Sequence, residues 1–325
     1  MTVDLRPLSL GELLDRTFTY YREQFWTFVG IMVPAEIAIV ASGLLLVALG
    51  LRPTMGLGKL PVTPSELIPA FGMLFVTASI SLLISLLANS IALGATSFAV
   101  SKIHLGSRAT IAEAYRSLKG SVGRVIGLYG LYILIIIAVY LMVIVGVVLA
   151  AVLVTLAVRL ARPSGSIEAG ILIGLIAMLA VIGAIVVGAI VCMRYTLAIP
   201  ALVLEKLGPV NALARSSALA KGRLKQIFLA CLLMYVIAAV ISTAIQTPFW
   251  VAGLVLGFKF GNNPLWLAVP ATIAGGVGGA LGHPFLTIVL TLFYYDSRVR
   301  KEGYDLQFMM SAIGPTPTPP ALSQT

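Results

Sequence analysis

Six long apolar runs alternate with short polar segments along the chain, near residues 27–51, 67–101, 125–158, 169–193, 226–257 and 264–294. An apolar stretch of about 18 or more residues reads as a membrane-spanning helix. The pattern therefore predicts an all-α integral membrane protein with six transmembrane helices. The fourth run reaches 204 if its helix continues through the apolar stretch 197–204. The run 125–158 contains no polar turn and reads as one span. As helix it would reach about 50 Å, against a hydrocarbon core of about 30 Å. Spans of this length must tilt, kink or project from the bilayer.

The basic residues orient the pattern. Lys and Arg cluster on the cytoplasmic side of membrane proteins. Of the 22 here, 17 fall in the N-terminal segment, the second connection, the fourth connection and the tail, which all lie on one side. Arg52, Lys59, Arg159, Arg162 and Lys259 lie on the other. The expectation is a multi-pass protein of the cell inner membrane with both termini cytoplasmic. This topology accounts for the net charge of +10, so nucleic acid is not an expected partner. The first 26 residues carry Asp4, Glu12, Asp15 and Glu23, unlike a cleavable signal. The first span is expected to act as an uncleaved anchor. Cys192 and Cys231 read as free thiols in a reducing compartment.

Composition narrows the function classes. Hydrophobic residues make up 59% and charged residues 10% of the chain, and mean hydropathy is +1.04. A soluble domain carries about 25% charged residues. The connections on the less basic side are at most about 15 residues by this reading. Pro53, Pro61 and Pro64 mark the first of them as irregular. The Pro-rich segment 311–325 reads as a disordered cytoplasmic tail after a membrane domain of 1–310. Little room is left for a soluble catalytic domain. His104 and His283 are the two histidines, no metal-binding or nucleophile motif is present, and no cofactor is expected.

Three units of similar layout follow one another, over about 7–106, 107–208 and 209–303. Ser9-Leu-Gly-Glu12 and Thr110-Ile-Ala-Glu113 both fit a capping box. Arg116-Ser117 recurs as Arg215-Ser216, and the units end at Leu105-Gly106, Leu207-Gly208 and Glu302-Gly303. Each unit reads as an interfacial amphipathic helix followed by a transmembrane hairpin. Two spans return the chain to the same side, so the repeats would be parallel. In the first interfacial helix, Leu10, Leu13, Leu14, Phe18, Tyr21, Phe25 and Phe28 recur at helical spacing. Glu12 and Arg16 suit an i,i+4 pair, and Leu8 with Leu13 suits a hydrophobic staple. The apolar face fits either acyl chains or the underside of the bundle.

Polar groups within apolar spans are the candidate chemistry. Glu36 and Arg194 would sit about 14 and 15 Å from the cytoplasmic end at 1.5 Å per residue, a depth at which the two can pair. Such a pair would either face a water-filled cavity or be structural, with Arg194 alternatively snorkelling to the headgroups. The sixth span holds Gly275, Gly276, Gly278, Gly279 and Gly282 before His283-Pro284. This pattern suits tight helix packing with a kink, or a broken helix around a site. Asn89 and Gln246 read as interhelical hydrogen bonds. Arg116, Lys119, Arg215, Lys221 and Arg223 are the candidate contacts to anionic lipid headgroups.

Three stretches together carry a family resemblance. They are Leu8-Ser-Leu-Gly-Glu-Leu-Leu-Asp-Arg-Thr-Phe18, Arg194-Tyr-Thr-Leu-Ala-Ile-Pro-Ala-Leu-Val-Leu-Glu205 and Tyr294-Tyr-Asp-Ser-Arg-Val-Arg-Lys-Glu-Gly-Tyr-Asp305. The set is similar to a bacterial integral-membrane family named for the membrane domain of glycerophosphoryl diester phosphodiesterases. In some members that domain precedes a catalytic barrel, which this sequence does not carry. The resemblance therefore implies a membrane module without that activity and supplies no catalytic residues. The primary expectation is a non-enzymatic module binding lipid or a membrane protein partner at the cytoplasmic side. The alternative is a small transporter or permease for a lipid-related or other small solute, with Glu36, Arg194 and His283 along its path.

Overall fold

The computed structural model describes residues 6–48, 64–161, 167–260 and 265–303. Pro53, Pro61, Arg52, Lys59, Arg162, Tyr304, Asp305 and the tail 311–325 lie outside the described residues, as does the side chain of Arg159. The described chain is helical: α1 (Leu10–Glu23), α2 (Phe25–Ala48), α3 (Pro64–His104), α4 (Ile111–Leu118), α5 (Val122–Ala161), α6 (Ile167–Tyr195), α7 (Ala198–Glu205), α8 (Pro209–Ala220), α9 (Leu224–Phe260) and α10 (Leu265–Glu302). Six of these helices are long and apolar enough to cross a membrane. The order short, long, long occurs three times, with α7 inserted after the second hairpin.

Both expected capping boxes form. The Ser9 hydroxyl accepts from the Glu12 amide at 3.3 Å, and the Glu12 carboxylate accepts from the Ser9 amide at 2.7 Å. Thr110 and Glu113 repeat the exchange at 3.3 Å in each direction. These bonds satisfy amides that the first turn of a helix leaves unpaired. Glu12 also pairs with Arg6 at 2.6 Å. Pro64 opens α3, where its missing N–H costs nothing. Gly106 and Gly303 adopt φ of +82° and +59° just past α3 and α10, the left-handed conformation that closes many helices. After α7 that role passes to Lys206 at φ +55°, one residue before the expected Leu207-Gly208 ending.

The fourth span ends close to the expected 193, and its continuation to 204 as one helix does not form. Its helix stops at Tyr195 and resumes as α7 after Thr196 and Leu197. Ser216 of α8 explains why this is tolerated. Its buried hydroxyl donates to the Arg194 carbonyl at 2.9 Å and accepts from the Leu197 amide at 3.1 Å. The backbone groups freed by the break are thereby paired. The Tyr132 hydroxyl also donates to the Tyr195 carbonyl. Residues Ala198 to Val203 of α7 are buried, packed against α3 and α8.

Helix α10 is the most buried of the six spans and contacts α9, α2, α1 and α3. Helices α5 and α6 pack mainly on one another, and the α5 span is the least buried. The main buried cluster, including Leu13, Phe28, Leu118, Leu202, Leu219, Ile227 and Phe293, gathers where α1, α4, α7 and α8 meet the ends of the long helices. The basic segments lie at this end. Here burial removes apolar surface from water, about 1.5–3 kcal/mol for each large side chain. Farther along the spans, between lipid-facing helices, that driving force is absent and close packing replaces it. A Cβ at Gly278 would lie 2.7 Å from Ser242 Cα, and one at Gly282 would lie 3.0 Å from Ala238 Cα. Gly278 and Gly282 thus bring α10 against the backbone of α9. Gly276 and Gly279 do the same toward α2, where added Cβ atoms would meet Val40 and Glu36. Helix α10 remains helical through Pro270 and Pro284.

Helix α1 packs under the bundle. Leu13 and Thr17 are buried, and the Tyr21 and Phe18 rings lie 4.1 and 5.4 Å from that of Phe285. The expected apolar stripe extends one turn too far: a turn at Gln24 ends α1, so Phe25 and Phe28 belong to α2.

Candidate functional site

Four helices line a partly open cavity of about 600 Å³, with polar side chains set among apolar ones. Each contributes residues at spacings of three and four, one face of a helix. From α2 come Glu36, Ile39, Val40, Ser42 and Gly43. Ser81, Ser85 and Asn89 line it from α3, and Ser242, Gln246 and Trp250 from α9. From α10 come Ala271, Thr272, Gly275, Gly276, Gly279 and His283. The glycines matter because side chains at these positions would fill the space or push α10 off α2.

At one end of the cavity the Glu36 carboxylate meets His283. Nδ1 lies 2.7 Å from Oε1, and the ring nitrogen donates if Glu36 is ionised. Glu36 is 6% exposed, whereas the His283 side chain is 45% exposed. Gly279 makes room for this carboxylate: a Cβ there would lie 2.5 Å from Oε1 and 2.7 Å from Oε2. Glu36 is about 16 Å from the start of α2 at 1.5 Å per residue. From that level the cavity extends toward Trp250, Thr272 and Gly43, away from the basic segments. On the basic side of Glu36, buried Met32, Ile31, Phe28 and Ala92 close the interior.

Asn89 and Gln246 do not bridge helices as expected. Asn89 donates to the Ser85 carbonyl at 2.9 Å and Gln246 to the Ser242 carbonyl at 3.2 Å. Each amide thus gives one N–H to its own helix, and its oxygen and second N–H remain for the cavity. The signal available in the sequence was the four-residue recurrence Ser81, Ser85, Asn89, and Ser242, Gln246, in otherwise apolar runs. Reading those residues one at a time missed it.

Of the three candidates Glu36, Arg194 and His283, the first and last come together and Arg194 does not join them. Arg194 is exposed at the end of α6, because the break that follows it ends the helix at the bundle margin. Equal depth in two spans does not make them neighbours. The closest packing on α2 comes from α3 and α10.

The candidate headgroup contacts divide into two groups. Arg116, Lys119 and Lys221 are exposed. Arg215 and Arg223 are engaged within the fold. Arg215 holds Glu205 at 2.9 Å and also binds Glu302. Hydrogen bonding to Glu302, then to Glu205, raises the pKa of its guanidinium above the ordinary value, against the opposing effect of burial. Tyr294 donates to Glu205 at 2.5 Å. Arg223 meets Asp296 at 2.6 Å and lies 4.2 Å over the Phe293 ring. Asp296 also accepts from the Leu8 amide at 2.7 Å and pairs with Arg300 at 3.1 Å. Its side chain is fully buried. The three stretches singled out in the sequence therefore meet at the basic end, where their polar residues tie α1, α7 and α8 to the end of α10. They do not line the cavity.

Among the described residues, no group of three or more His, Cys, Asp or Glu side chains is placed to hold a metal ion. His104 is buried against α1, its Nδ1 3.0 Å from the Tyr20 hydroxyl. Cys192 and Cys231 are free thiols, as expected. No family model, no curated protein and no solved structure matches this chain.

Proposed function

We propose that the chain is a multi-pass inner-membrane protein that binds a polar solute or a lipid headgroup in the cavity between α2, α3, α9 and α10, without catalysing a reaction. One observation carries this reading: a partly open cavity of about 600 Å³ that gathers Ser, Asn, Gln and His side chains and a buried carboxylate, among spans otherwise apolar. Polar and ionisable side chains in such spans are costly and mark solute paths. The reading favours the transporter alternative over a module without a binding site. The proposed topology places both termini and the basic end in the cytoplasm, with three parallel units of one short helix and one hairpin each. The cavity then belongs to the half of the bundle away from the cytoplasm. The packed core beneath Glu36 makes this a conformation closed toward the cytoplasm. The likeness to the phosphodiesterase membrane-domain family remains part of the proposal.

Cysteine accessibility tests it. In a Cys192→Ser, Cys231→Ala background, Ser242→Cys should react with a membrane-impermeant thiol reagent from outside the cell. No labelling in membranes, with full labelling after denaturation, would remove the water-accessible cavity and with it this reading. A second reading has its own support in the exposed Arg116, Lys119 and Lys221, which would hold anionic headgroups at about 1 kcal/mol each near the surface. Unchanged affinity for phosphatidylglycerol vesicles after replacing all three by Gln would dismiss it.

A further inference from the structure

We propose that the cavity takes an organic cation whose ammonium group binds the Glu36 carboxylate; this rests on the reading of the cavity as a binding site. Charge comes first. The lining among the described residues holds one carboxylate, no Lys and no Arg. An anion entering it would approach Glu36 in surroundings that screen like charges poorly. A cation would meet the opposite sign.

Hydrogen-bonding capacity points the same way. An ionised carboxylate has about four acceptor positions, and the one hydrogen bond to Glu36 among the described residues comes from His283. Its Oε2 accepts no hydrogen bond among the described residues and is not fully enclosed, so a ligand can reach it. Asn89 and Gln246 each give one N–H to their own helix and keep their oxygens as acceptors. The lining thus offers the Glu36 carboxylate and two amide oxygens as free acceptors. That suits an ammonium with several N–H groups and opposes a phosphate, which brings only acceptors when ionised.

Shape completes the assignment. The carboxylate lies at one end of the cavity and Trp250 lines it two helical turns beyond Ser242, about 12 Å along α9. The volume is within the range of about 300–1,000 Å³ usual for small-molecule sites. An amine with an apolar or aromatic body would place its charge on Glu36 and its body toward Trp250. The ammonium can belong to a free amine or to a lipid headgroup.

Calorimetry on the full chain in maltoside micelles tests this with three probes of one shape: phenethylammonium, phenethyl alcohol and 3-phenylpropanoate. The expected result is saturable binding of the ammonium, with the alcohol and the anion at least tenfold weaker. Glu36→Gln should weaken the ammonium at least tenfold and leave the alcohol unchanged, which also shows that the variant is folded. Gly275→Leu, which fills the cavity without altering charge, should remove binding of the ammonium. Added phosphatidylethanolamine that competes identifies a lipid headgroup as the source of the ammonium; no competition identifies a free solute. An anion that binds as well as the ammonium, or full ammonium affinity in Glu36→Gln, overturns the cation assignment while leaving a binding cavity; full ammonium affinity in Gly275→Leu places the binding elsewhere and overturns both. Absence of saturable binding by any probe to the wild type overturns both readings.

Discussion

Replacing Gly278 by alanine should destabilise the bundle, and replacing Gly183 by alanine should not. Alanine is the better helix former by about 1 kcal/mol, so propensity alone predicts a gain at both positions. The structure separates them. A Cβ at 278 would lie 2.7 Å from Ser242 Cα and 2.7 Å from its Oγ. Ordinary contact between carbons is about 3.5–4.0 Å. The obstacle is backbone, which a rotamer change cannot clear, so α9 and α10 must separate by about 1 Å. Overpacking of this kind costs about 1–3 kcal/mol, which exceeds the propensity gain. At Gly183 nothing lies within 4 Å of the added Cβ, and the expected change is zero to about 1 kcal/mol of stabilisation. Thermal unfolding of the purified protein in one detergent, with both variants and wild type side by side, reads the difference. The two changes should have opposite signs, or Gly183→Ala should be neutral while Gly278→Ala melts several degrees lower. Equal melting of the two variants would refute the close approach of α9 and α10 at Ser242, and with it the geometry of the cavity wall.

Three other outcomes follow from named contacts. Ser216→Ala removes both partners of the α6–α7 break and leaves buried backbone groups unpaired, so a loss of about 1–3 kcal/mol should appear as lower thermal stability. A Gly at 216 should do no better, since the hydroxyl and not the volume is missing. Asp296→Ala removes the acceptor of the Leu8 amide and leaves Arg223 without its carboxylate, a loss of about 3–5 kcal/mol in a buried setting; limited proteolysis should then release the segment entering α1, and unchanged protection would contradict the tie to Leu8. Glu12 gives a pH signature. The Ser9 amide, then Arg6 and the Ser9 hydroxyl, hold its carboxyl down at about 2. A depressed native pKa means that the cap contributes above the unfolded value of 4.5 and that its contribution is lost as pH falls toward 2. Hydrogen exchange at the Ser9 amide, which donates to this carboxylate, corrected for the intrinsic rate, should lose protection as pH falls from about 5 toward 2, and Glu12→Gln should lack that transition.

Ser9, Glu12, Thr110 and Glu113 announced their caps in the sequence because a capping box is local: all its atoms lie within four residues. The run 125–158 announced α5 for the same reason. Glu36 announced itself as a costly charge in an apolar run but could not name its partner. His283 is 247 residues away, and depth along a span says nothing about which spans are neighbours. Arg215 and Arg223 looked like free basic groups because the carboxylates that neutralise them, Glu302 and Asp296, arrive on α10. The break after Tyr195 was hidden because 197–204 is as apolar as the span before it. The hydroxyls of Ser216, from α8, and Tyr132, from α5, pair backbone groups where the helix ends.

Apolar periodicity, cap signatures and the placement of Lys and Arg depend on neighbours in the chain and on the solvent that each segment must satisfy. By themselves they determined the six apolar spans and the two capped short helices α1 and α4. Which helices touch, and therefore which polar groups pair, depends on shape between segments far apart in sequence. Only the tertiary structure decided that the glycines of α10 admit α2 and α9 so closely, that Glu36 meets His283 rather than Arg194, and that scattered Ser, Asn and Gln side chains converge on one cavity.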